Sequence, residues 1–75
     1  MDSKITAAMY NALKLKYQAD YQEANATLLV YFNNSVGIGE HPQHLEEIDK
    51  LLENISNAED KLESLNKHFN HLVIN

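Results

Sequence analysis

Val36-Gly37-Ile38-Gly39-Glu40-His41-Pro42 stands at the middle of a 75-residue chain and holds both of its glycines and its only proline. Glycine reaches left-handed backbone conformations at little cost, and proline fixes φ and removes a backbone donor. Together they stop one helix and start the next. Neither residue occurs anywhere else in the chain, so nothing punctuates the stretches on either side. The expected fold is all-α: a helix over about 3–33, a hinge over 34–41 and a helix over about 42–72. These fold back antiparallel as one helical-hairpin domain spanning 1–75.

Working outward from the hinge toward the N-terminus, Ser3 or Asp2 can cap the first helix. At 100° per residue this helix carries two apolar stripes. One is bulky and aromatic: Tyr10, Leu13, Tyr17, Tyr21, Ala24, Leu28 and Tyr31, with Phe32 at its edge. The other lies nearly opposite and is rich in alanine: Ile5, Ala8, Ala12, Leu15, Ala19, Ala26, Leu29 and Val30. A helix with two apolar faces needs a partner on each.

The second helix has one apolar stripe, Leu45, Ile48, Leu51, Leu52, Ile55, Ala58, Leu62, Leu65, Phe69, Leu72 and Val73. Asp49, Lys50, Glu53, Asp60, Lys61, Ser64 and Lys67 occupy its polar face. Pro42 suits the first helical position and pushes His41 toward the extended geometry of a cap. Glu46 and Glu47 lie near the first turn, where carboxylates complement the helix dipole.

These patterns do not balance within one molecule. A hairpin covers the single stripe of the second helix with one stripe of the first, and the other stripe stays exposed along about 45 Å. Monomers rarely expose contiguous apolar surface on that scale. A homodimer that buries the first helix against its symmetry mate, forming a four-helix bundle, is the expected resolution. Tyrosine hydroxyls suit a partly wet interface, so Tyr10, Leu13, Tyr17, Tyr21, Leu28 and Tyr31 are the candidate self-association stripe. The competing assignment makes these tyrosines ordinary core and rim residues.

Composition narrows the function. Eleven acidic residues face six lysines and no arginine. Arginine is the usual residue for bidentate phosphate and guanine contacts, and a nucleic-acid surface is basic, so direct nucleic-acid binding is not expected. No apolar run approaches the ~20 residues of a membrane span, and Met1-Asp2-Ser3-Lys4 does not open like a signal peptide. A soluble intracellular protein is expected. The sequons at Asn25, Asn33 and Asn54 are then coincidental, because glycosylation accompanies secretion. Without cysteine, neither a disulfide nor a thiolate metal site can brace a domain this small.

Chemistry-bearing residues are few. His41 and His44, and His68 and His71, are spaced so that each pair shares a helix face and could supply two metal ligands. The pairs lie about 40 Å apart along one helix, and the first helix offers only Asp20 and Glu23, remote from both. Caps and surface histidines are the expectation, with no metal and no cofactor. Gly37-Ile38-Gly39 before a helix start could cradle an anion, but a phosphate loop follows a strand and Glu40 would repel the charge. A hinge made of Gly37, Gly39, Glu40, His41 and Pro42, with a glycine ending the first helix, is the better reading. The serines have no nearby histidine oriented by a carboxylate, so catalysis is not expected.

The hinge followed by the Leu45–Leu65 stretch and Ala58-Glu59-Asp60-Lys61-Leu62 resembles the small helical accessory proteins of T4-like tailed phages, including those of marine cyanobacteria. Within that group it is similar to the short protein encoded beside the T4-type recombination helicase. The likeness runs from about Lys14 to Phe69. Its mark is a turn, so it brings no functional residues with it. It implies a helical viral protein made in the cytoplasm of a bacterial host. The function expected is non-catalytic: interaction with a phage or host protein. The alternative is an accessory role in phage DNA recombination or replication beside a helicase, for which the missing arginine gives no independent support.

Overall fold

An uninterrupted run of helix formers carries the first helix from its start to the edge of the hinge. In the computed structural model, which describes residues 3–33 and 42–73, α1 spans Ser3–Asn33 and α2 spans Pro42–Phe69. A 3-10 turn, Asn70–Leu72, follows α2 and is closed by the Val73 amide donating to the Asn70 carbonyl at 3.1 Å. Every described residue but Val73 is helical. The second helix thus ends as an α-helix at Phe69, and the last turn read as helix is wound tighter. Ser3 is already helical, so a cap on α1 would fall on Asp2, outside the described residues. The hinge segment 34–41 also lies outside them, and with it the left-handed glycine and the His41 cap. Lys67 and His68 sit in the last turn of α2, where cations complement the carbonyl end of the helix.

The two helices pack along their length as an antiparallel hairpin, a rod of 55 × 16 × 14 Å. The interface belongs to the aromatic stripe of α1. Tyr10, Ala24 and Leu28 are buried there, and Ala58 is the buried residue of α2. Ile48, Leu51, Ile55, Leu62 and Leu65 are half-buried beside them. Two small residues, Ala24 and Ala58, line the same groove between the helices. Among the described residues no large side chain is fully buried, because two rods touching along one line can shield each other on one side only.

Polar pairs fix the register. The Tyr31 hydroxyl donates to the Glu47 carboxylate, and the Tyr31 and His44 rings meet edge to face with centroids 5.6 Å apart. One end further along, the Lys61 ammonium lies over the Tyr17 ring, 5.5 Å from its centroid. The Tyr31–Glu47 and Tyr17–Lys61 pairs are both centred on position 39, within the glycine segment. No helix among the described residues is long and apolar enough to cross a membrane.

Candidate functional site

The sides of the hairpin differ in character. On one side, Asp20, Glu23 and Thr27 of α1 face Asn54, Asn57 and Lys61 of α2 across a shallow polar groove. At its edge, Asp20 also pairs with the Lys16 ammonium at 3.4 Å, an exposed i,i+4 pair that contributes little. The Thr27 hydroxyl donates to the Glu23 carbonyl at 2.9 Å and so is turned back onto its own helix. On the other side, Leu15 and Ala19 of α1 meet Leu62 of α2 in an open, more apolar depression. Leu45 and Leu52 lie on the exposed flank of α2.

The back of α1 is the largest unpartnered feature. Ile5, Ala8, Ala12, Leu15, Ala19, Ala26, Leu29 and Val30 are all exposed, Leu15 by 65% and Val30 by 67%. Met9, beside them, is exposed as well. The candidate self-association stripe is placed differently. Tyr10 and Leu28 are buried against α2, Tyr17, Tyr21 and Tyr31 are half-buried, and Leu13 is exposed at the edge. Its residues are brought together, but by α2 of the same chain. The physical reason is size: the single leucine-rich stripe of α2 buries more area against tyrosine and leucine than against alanine. The face left for another molecule is therefore the alanine-rich one.

The tyrosine contacts have a chemical consequence at one position. The hydrogen bond to Glu47 holds the Tyr31 phenol above its ordinary pKa, with desolvation and the Glu47 charge acting in the same direction. An acid that donates its proton to a carboxylate resists losing it. This ties the hinge ends of α1 and α2 together through a proton present at neutral pH.

The described histidines are divided between the two ends of the hairpin. His44 packs on Tyr31, and its neighbour His41 lies outside the described residues. His68 and His71 are exposed at the far end, with the His68 ring edge-on to Phe69 at 6.3 Å. Among the described residues no three His, Cys, Asp or Glu side chains converge as metal ligands.

Sequence reasoning did not pair Tyr31 with Glu47 and His44, or Tyr17 with Lys61. The signal was available, since folding the chain about position 39 sets Tyr31 opposite Glu47 and Tyr17 opposite Lys61. Compared with known proteins, the chain matches no family model, no curated sequence and no solved structure.

Proposed function

We propose that this chain is a non-catalytic interaction protein: a helical hairpin that associates with a second copy of itself and then engages another protein. The observation that carries this reading is the exposed apolar back of α1. Large side chains in water along the whole length of one helix are a binding surface or a liability. The surface area supports the same reading. The chain exposes 5905 Å². A compact monomer of its mass would expose about 4,700 Å². The excess is what a 55 × 16 × 14 Å two-helix rod presents over a compact shape, and it is surface that another molecule can cover.

The phage resemblance supplies the expected setting, a bacterial cytoplasm in which the partner is a phage or host protein. It assigns no residue. Light scattering during gel filtration at micromolar concentration tests the first step: the expected mass is twice the chain mass of 8.6 kDa. Leu15→Glu or Val30→Glu places a charge on the exposed face and should return the mass to one chain with helicity kept. A wild-type mass of one chain at every concentration overturns self-association. Affinity capture on the purified protein from infected cells tests the second step, and recovery of recombination or replication proteins would favour the accessory role over a separate host target.

A further inference from the structure

The exposed face of α1 has more order than an apolar patch requires. From Ile5 to Asn33 its central positions recur alternately three and four residues apart. Ala12, Ala19 and Ala26 fall at every seventh residue, with Leu15, Gln22 and Leu29 three places after each, and all six are exposed. A period of 3.5 is that of a helix paired to another helix by knobs-into-holes packing. Tyr10, Ala24 and Leu28, which α2 buries, lie on the opposite side of α1; Leu15, Ala19 and Gln22 border a depression shared with Leu62 yet stay exposed, so the seam is open to a further helix.

We propose that the seam pairs antiparallel with the α1 seam of a second copy, in one register: Ala12 opposite the partner's Leu29, and Leu15 opposite the partner's Ala26. This rests on the self-association reading and specifies it. Three features of the face select a second copy as the occupant and this alignment. First, each leucine meets an alanine, so large and small side chains fill each other's space and the backbones approach closely. Second, the row beside the seam reads Met9, Lys16, Glu23, Val30. In this alignment Lys16 lies beside the partner's Glu23 and Met9 beside the partner's Val30, each twice by symmetry. Slipped by one heptad, Lys16 faces the partner's Lys16, and like charges oppose pairing. Third, Gln22 is the polar member of the seam, and its amide comes within about 5 Å of the partner's Gln22 along the axis. That amide pair disfavours the slip that separates the two glutamines by about 15 Å, and in the opposite slip Glu23 faces the partner's Glu23, so like charges oppose it.

The surface is adequate for a stable pair. A seam over residues 5–33 is about 43 Å long. That is about four heptads, long enough for a continuous knobs-into-holes seam. The assembly places the two α1 helices at the centre and one α2 on each outer side, which makes the bundle a layer of four helices.

Because the chain has no cysteine, single labelling sites are clean. Nitroxides at Lys14→Cys and, separately, Thr27→Cys sit outside the seam on exposed positions. In the proposed register both give the same axial separation, about 20 Å, by pulsed electron resonance. The slipped register gives about 9 Å and about 30 Å, and a parallel pair gives no axial separation at either site. Either result overturns the proposal while leaving self-association standing. Glu23→Lys should weaken the dimer roughly tenfold, by turning two attractions into repulsions, and Lys16→Glu with Glu23→Lys should restore it. A Glu23→Lys dimer as tight as wild type refutes the register. A monomer by scattering, with no dipolar signal at either site, refutes both this proposal and the self-association beneath it.

Discussion

Leu28→Ala is the substitution whose cost follows most directly from the fold. Leu28 is 5% exposed and belongs to a group of four buried residues with Tyr10, Ala24 and Ala58. Removing three buried carbons at about 0.8 kcal/mol each predicts a loss of about 2.4 kcal/mol. The additional cavity penalty should be small, because a two-helix interface open on both flanks lets neighbours and water relax into the space. For a domain of this size the loss corresponds to a fall of about 10–20 °C in the unfolding midpoint. The control is its neighbour Leu29, turned 100° away and 52% exposed. At high dilution Leu29→Ala should change stability by no more than about 0.5 kcal/mol. Circular dichroism at 222 nm through a thermal ramp, at low and high protein concentration, reads both. Leu28→Ala should lower the midpoint at every concentration, and Leu29→Ala only where the dimer is populated. A Leu28→Ala loss below about 1 kcal/mol, or equal losses for the two at high dilution, would refute the assignment of the aromatic stripe to the hairpin interface.

Two further outcomes test the contacts between the helices. Ala58→Leu forces a larger side chain into the buried site of Ala58, which shares a groove with Ala24, and should cost about 1–3 kcal/mol, measured by the same thermal ramp. Tyr31→Phe removes the proton shared with Glu47. Since the folded state raises the Tyr31 pKa, its contribution is fully present below the ordinary tyrosine value near 10 and is lost as pH rises through the folded value. Wild type should therefore lose stability on the alkaline side relative to Tyr31→Phe, and absorbance titration near 295 nm should lose a component raised above the ordinary tyrosine value in the variant.

The hairpin was legible because its signals are local and redundant. Both glycines and the proline fall within one short segment, and α2 separates leucine from charge around its circumference so plainly that its inward face follows from helical spacing alone. What local signals could not settle was which stripe of α1 faces α2, because both stripes satisfy the same periodicity. That choice is made by area. Tyr10, Tyr17, Leu28 and Tyr31 offer α2 more surface than Ala12, Ala19 and Ala26 could. Of the hydroxyls that had suggested a wet intermolecular interface, that of Tyr31 finds its partner inside the hairpin, on Glu47. The cue was present in the order of residues along the chain. Reflecting the sequence about position 39 sets Tyr31 against Glu47, so a polar aromatic stripe lay opposite acceptors and cations before any interface was assumed.

The same area argument gives alanine a specific role on the other face. A helix that needed only solubility at its back would carry lysine and glutamate there, as α2 does at Lys50, Glu53, Lys61 and Lys67. A helix that needed general adhesiveness would carry leucine throughout. The back of α1 does neither: alanine recurs every seventh residue, leucine stands between, and charge is confined to the flank at Lys16 and Glu23. In the proposed pairing, alanine contributes little area by itself, and its value would lie in letting a second backbone come close enough for the leucines of each chain to reach the other. That geometry would discriminate by shape, since a bulkier partner helix is held away and loses contact along the whole seam. The tyrosine stripe holds the chain in its hairpin, and under this proposal the alanine stripe would select, by close approach, what the hairpin accepts.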